Sequence, residues 1–313
     1  GEASGEVQVT MTRLVSVTLA CSALLVATAC GEESDGSANA EPSSASAPEW
    51  TMEDVNAAPD EWRQVDADNM LVFETSKGRI IIEMLPDVAP NHVEQFRTIA
   101  ESGDFDGTSF HRVIDDFMAQ GGDIFALKGR ESGLPDLKGE FTFRRNPQEM
   151  KINPIGPEGG ATQGLYKGFP IATQSAYLAE MTKDGSVDSW VPHCPGVVST
   201  ARTDDPNSAN SQFFLMRYQA EHLDKGYTAW GRVIDGFDVV RAIKIGPEPN
   251  GTPIEDPDIL EEAYMASELP DDERPVAYVQ RTDIQVWTDR LAAAAQLKND
   301  ICDIPRVPAV IDE

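Results

Sequence analysis

Between Met70 and Ile245 the chain is cut into short β-type runs by Gly, Pro, Asn and Asp, and only two helix patterns interrupt them. Leu71-Val-Phe-Glu-Thr75 and Arg79-Ile-Ile-Ile-Glu-Met84 flank the turn residues Ser76-Lys77-Gly78 and read as a hairpin. Further strand candidates are Thr108–Val113, Met118–Gln120, Gly196–Ala201, Gln212–Met216 and Thr228–Ile234. Pro90 opens a helix where its missing N–H costs nothing, and Val93, Phe96, Ile99 and Ala100 recur at helical spacing as one buried stripe. A second helix near Phe237–Ile245 buries Val239, Val240 and Ile243. A parallel α/β sheet needs a helix after nearly every strand. This pattern excludes that class and leaves a mainly β, antiparallel barrel.

Beyond this region a late strand, Tyr278 to Trp287, shows alternation, and Leu291 to Leu297 is an alanine-rich terminal helix. Two stretches do not fit a minimal barrel. Residues 144–192 are punctuated by Gly and Pro and only weakly periodic, and residues 247–273 hold ten acidic side chains, five prolines and no basic residue. Both read as surface insertions. The expected division is therefore 1–30, an extension and signal; 31–69, a flexible linker; 70–288, the folded domain; and 289–313, a C-terminal helix and tail.

The amino-terminal assignment rests on hydropathy and charge. Leu14 to Ala29 runs for sixteen residues without a charge after Met11-Thr-Arg13, too short for a bilayer-spanning helix of about 20 residues. It reads as a secretory segment. Small residues then precede Cys30-Gly31, which resembles the lipobox of bacterial lipoproteins. That resemblance implies lipidation of Cys30, a mature chain anchored in the cell envelope, and a periplasm-facing location at the outer membrane. Residues 32–59 are rich in Ser, Ala, Pro and Glu and read as a tether. With 53 acidic against 25 basic side chains the net charge is −28, which argues against nucleic-acid partners, since phosphate binding needs clustered Lys and Arg.

The chemistry concentrates in Phe110-His-Arg-Val-Ile-Asp-Asp-Phe-Met-Ala-Gln-Gly-Gly-Asp123. Three further blocks accompany it in order: Gly78 to Met84 with Ala89 to Phe96, Ser199 to Phe214, and His222-Leu-Asp224 with Tyr227-Thr-Ala-Trp-Gly231. Together they closely resemble cyclophilins, the peptidyl-prolyl cis-trans isomerases, over roughly Met70 to Ile245. The resemblance implies a closed, eight-stranded antiparallel β-barrel capped by two helices. It also implies rotation about X–Pro bonds in proline-containing polypeptide clients, with no cofactor or metal, in a monomer.

Amide resonance sets a barrier of ~18–20 kcal/mol for that rotation, and no bond has to break. A pocket for the proline ring and a donor aimed at the imide nitrogen suffice. By resemblance Arg112 is the catalytic donor. Phe117, Met118, Phe214 and Leu223 line the ring pocket. Gln120 orients Arg112 or the substrate carbonyl, Gln212 belongs to the same floor, and backbone groups of Ala201 and Arg202 hold the peptide extended. Tyr227 stands where many members carry His. Thr200 replaces a usual Met, and His222 replaces the Trp associated with cyclosporin contact, which implies weak drug sensitivity. A rival reading is a lipid-anchored proline-peptide-binding chaperone with little turnover, its groove roofed by residues 144–192. His193 adjoins Cys194, but no other His or Cys has ligand spacing for zinc. With Cys21 removed and Cys30 blocked, Cys194 and Cys302 remain as a disulfide candidate in an oxidising compartment, the alternative being two buried thiols.

Overall fold

The computed structural model describes residues 49–313 except Glu158; the signal, Cys30 and the first part of the tether lie outside the described residues. The main sheet has nine strands: β1 (Met70–Thr75), β2 (Gly78–Met84), β3 (Thr108–Ser109), β4 (Arg112–Ile114), β5 (Met118–Gly121), β6 (Val197–Thr200), β7 (Phe213–Met216), β8 (Ala229–Asp235) and β9 (Ile259–Met265). They pair antiparallel in the order β3-β9-β1-β2-β8-β6-β7-β5-β4. The expected closed eight-stranded ring is thus replaced by a curled sheet with two edges. Both edges belong to one stretch of chain, because β3 and β4 are separated only by Phe110 and His111. Phe110 is fully buried and its N–H bonds to Asp258 O at 2.9 Å; there the chain leaves β9 and takes up β5 instead.

The β1–β2 hairpin turns on Ser76-Lys77, with Gly78 at φ +131°, a conformation that favours glycine. Inside the curl, Phe213 sits among Phe73, Phe105 and Phe110 at centroid distances of 5.1, 5.7 and 6.2 Å. Helix Pro90–Ser102 presses its expected stripe, Val93, Phe96, Ile99 and Ala100, into this core, and Phe96 stacks on Trp230 at 4.3 Å. The second helix, Phe237–Ala242, is shorter than expected and buries Val240.

Helix Pro90–Ser102 begins at Ala89, which has no side chain able to cap it. A distant carboxylate does so instead. Glu140 accepts from the N–H groups of Asn91 (2.9 Å) and His92 (3.1 Å) and from His92 Nδ1 (2.9 Å). These N-terminal donors have no partners within a helix, and the helix dipole adds to the attraction for a negative charge. Burial pushes the Glu140 carboxyl up, but the hydrogen bonds from His92 and Asn91 outweigh it and hold the carboxyl below its ordinary value. A depressed carboxylate stabilises the fold above its unfolded pKa and loses that contribution as pH falls through the folded one. Glu140→Gln should therefore cost about 1 kcal/mol at neutral pH, and the difference from the parent should shrink below about pH 4, as read by urea unfolding across pH. A constant difference would show that the cap does not depend on charge.

Four boundaries differ from the expectations. The linker does not extend to residue 69: Met52–Ala57 is helical, and Trp62–Gln64 pairs with Val276–Gln280, itself paired with Ala309–Asp312. Val55, Trp62 and Val310 make a small separate core beside Trp50. Secondly, the expected strand Tyr278–Trp287 ends at Gln280, and Gln285–Gln296 is a helix. Trp287, Leu291 and Ala294 recur at helical spacing on its buried face, which overrides the short alternation. Thirdly, residues 247–273 are not wholly a surface insertion. Within them β9 lies between β3 and β1, burying Leu260, Ala263 and Met265, while a register shift carries the exposed Glu261 and Glu262. Lastly, residues 144–192 are not loop but belong to a second sheet, in the order Phe143–Arg145, Val187–Trp190, Phe169–Thr173, Gln163–Tyr166, Asn153–Pro154. Its Leu165, Phe169 and Ile171 join the main core.

Candidate active site

At the β4–β5 edge the register places Arg112 opposite Gln120, and Gln120 in turn opposite Phe214 on β7. A polar row follows from it. Gln120 Nε2 donates to Gln212 Oε1 at 2.9 Å, and Gln120 Oε1 accepts from Arg112 Nη1 at 3.3 Å. Arg112 Nε donates to the carbonyl of Asn250 at 3.0 Å. The guanidinium is thus held at two points on one side of a cleft. No carboxylate pairs with Arg112 among the described residues, so its charge is not neutralised by an ion-pair partner.

The cleft holds about 610 Å³, within the range of about 300–1,000 Å³ typical of ligand sites. Arg112, Phe117, Met118, Gln120, Ala201, Arg202, Phe214, Leu223 and Tyr227 all line it, and His222 with them. Gln212 lines the adjoining groove, which shares Gln120, Ala201 and Arg202 and carries Glu131 and Asp136. Every site residue expected on the main domain is therefore brought to one place, and none of the lining residues comes from 144–192. Met118, Phe214 and Leu223 are buried at 1, 5 and 5% exposure and form an apolar floor. Phe117 and His222 face each other at 5.5 Å on one wall. On the other, Tyr227 meets Phe214 edge-on at 5.9 Å, and the Arg202 guanidinium lies over the Tyr227 ring at 4.4 Å. Arg202 Nε and Nη2 also donate to Gly226 O at 3.0 and 2.7 Å, which fixes that wall.

Three contributors lay outside the sequence reading. The Asn250 carbonyl comes from a segment read as an insertion, and a backbone oxygen leaves no mark on residue identity. Beneath the floor, His193 bridges Asp224 Oδ1 and Ser199 Oγ, both at 2.9 Å, and lies parallel to Phe214 at 6.1 Å. Ser199 is fully buried and donates to Thr228 O at 2.8 Å, so this relay supports the floor rather than attacking a substrate. The carboxylates Glu131 and Asp136 border the adjoining groove from a loop that carried no expectation. Cys194 and Cys302, which do not line the cleft, are joined in a disulfide with Cα atoms 4.9 Å apart.

Residues 70–264 match the family model described as cyclophilin type peptidyl-prolyl cis-trans isomerase/CLD. A probable peptidyl-prolyl cis-trans isomerase of Brucella suis is 31% identical over 203 residues, 65% of this chain and 85% of that protein. The peptidyl-prolyl cis-trans isomerase cyp18 of Streptomyces antibioticus is 35% identical over 180 residues, 55% of this chain and 81% of that protein. The crystal structure of cyclophilin AquaCyp293 from Hirschia baltica superposes with a TM-score of 0.79 at 46% identity, covering 84% of this chain and 98% of that one. The fold, the cleft and these likenesses agree: the chain belongs to the cyclophilin-type peptidyl-prolyl cis-trans isomerases.

Proposed function

We propose that this isomerase acts on X–Pro bonds of extracytoplasmic polypeptides, with the proline ring on the Met118–Phe214–Leu223 floor and Arg112 as the catalytic donor. The observation that carries the assignment is the guanidinium held by Gln120 and Asn250 O at the edge of an apolar cleft. In a planar imide the nitrogen lone pair is conjugated and accepts poorly. As the bond twists, the pair localises and takes a hydrogen bond from the guanidinium, so the twisted state gains more than either planar isomer. The Ala201 N–H is bonded to Gln212 O at 2.9 Å, so an extended client meets the Ala201 carbonyl rather than its amide.

A chaperone with little turnover is the second reading. The second sheet does not line the cleft, which removes the roof that reading invoked. A protease-coupled assay on an Ala-Pro-Phe peptide separates the two: the parent should accelerate isomerisation in proportion to enzyme concentration, and no acceleration on any prolyl peptide would leave only binding. No helix among the described residues is long and apolar enough to cross a membrane. Our proposal for location is a monomer anchored at the outer membrane through lipidated Cys30, facing the periplasm. One acyl chain holds weakly, and stable anchoring takes more than one. Cys30→Ser should move the protein from the membrane pellet to the soluble fraction, and unchanged pelleting would refute the anchor.

A further inference from the structure

A further cavity, of about 80 Å³, borders the disulfide and is lined by Gly168, Cys194, Cys302, Arg232, Arg306 and Val307 among others. A site for one water needs about 10–15 Å³, so this space holds several waters or one small ion. Its lining includes two arginines from distant parts of the chain. Arg232, on β8, is 5% exposed, and its Nε and Nη2 are buried with no hydrogen-bond partner among the described residues. Nη2 packs against Gly168, one of the lining residues, where an added Cβ would stand 2.9 Å from it. Among the described residues the Arg232 guanidinium makes one hydrogen bond, from Nη1 to Val307 O at 3.3 Å, and lies over the Phe169 ring at 5.7 Å. Arg306 donates through Nη2 to Val233 O at 2.7 Å and lies over the Phe237 ring at 4.0 Å.

The carboxylates nearby do not close the account. Glu83 faces Arg232 across the β2–β8 ladder, yet its oxygens are taken by Arg63 Nη2 at 2.7 and 3.0 Å. Asp235 and Asp238 act on Arg306 from a distance, without a hydrogen bond to either guanidinium among the described residues. Burial pulls Arg232 down to about 10 and Arg306 to about 9, and both still carry their charge at neutral pH. A buried cation with open donors is costly unless an anion completes it.

We propose that this cavity binds a free tetrahedral oxyanion, phosphate or sulfate, between Arg232 and Arg306. The planar, forked donors of arginine match such oxygens. The bound ion would tie residues 301–307 to β8 beside the disulfide.

The test uses the oxidised chain, titrated with phosphate against chloride at constant ionic strength and followed by thermal unfolding. The parent should show a saturable rise in midpoint. Arg306→Gln should weaken the apparent affinity about ten- to hundred-fold, the usual effect of deleting a hydrogen bond to a charged group. Arg232→Met should abolish the response and, without phosphate, should be no less stable than the parent, because it removes an unpartnered buried charge. If Arg232→Met does not fold, Arg306→Gln decides alone. An unchanged phosphate response in Arg306→Gln, or none in the parent, would overturn the site. Glycerol phosphate, whose tail does not fit so small a space, should bind at least about tenfold more weakly. Equal affinity would place binding on the surface and equally overturn the proposal.

Discussion

Arg112→Ala should lower kcat/KM by about 10²–10³ while the fold and the affinity for prolyl peptides stay nearly unchanged. The size follows from losing a charged, pre-aimed donor, worth ~2.7–4 kcal/mol to a transition state in comparable sites. The selectivity follows from geometry. Arg112 is only partly buried, on the edge strand β4, and the hydrogen bonds it gives up are those to Asn250 O and Gln120. The ring floor of Met118, Phe214 and Leu223 does not depend on them. Arg112→Lys should rescue little, because an ammonium lacks the fork that reaches both anchors and still presents a donor. Phe214→Ala should behave differently, damaging binding and rate together by emptying the floor. The two patterns are separated by measuring kcat/KM with peptide affinity by titration. Turnover of Arg112→Ala within a few-fold of the parent would remove Arg112 from its role.

How far the residues alone disclose this site depends on which link of the chain is asked for. Arg112, Phe117, Met118 and Gln120 sit within nine residues, and β4 and β5 are neighbours in both sequence and sheet. Their juxtaposition is local and therefore legible. Phe214, Leu223 and Tyr227 were legible through resemblance, since nothing in a single sequence gives their distance from Arg112. What escaped has a physical pattern. Trp62 pairs with Gln280 across more than 200 residues, so no local periodicity marks Trp62–Gln64 as a strand. In β9, Glu261 and Glu262 look like loop because the register shift leaves both exposed, while Leu260, Ala263 and Met265 build the core. The Asn250 carbonyl and the Glu140 carboxylate act from remote segments, the first through one backbone oxygen and the second through both of its carboxylate oxygens. Each of these depends on long-range pairing, which composition and period do not encode.

That long-range character also governs the other large effect. Replacing Cys194 and Cys302 together by serine should destabilise the protein by up to about 4–5 kcal/mol, a figure that chain entropy gives for a closed loop of order 100 residues. The separation here is 108 residues. For a folded body of this size that corresponds to a fall in Tm of about 7–9 °C. The loss should begin locally. Cys302 lies in the turn Ile301–Asp303, and the chain beyond it supplies Val307 to the core and Ala309–Asp312 to the three-stranded sheet. Without the bridge this segment can open while the main sheet stays closed. Cys194 is also next to His193, whose bonds to Asp224 and Ser199 support Phe214. Those bonds are made by side chains that the substitution leaves in place, so kcat/KM at 25 °C should stay within a few-fold of the parent. Stability and activity should therefore separate: hydrogen exchange should quicken first at residues 301–312 and only later in β1 and β2. An unshifted denaturation midpoint would mean that the tail is held by its packing alone, and a collapse of activity would mean that the bridge positions His193 directly.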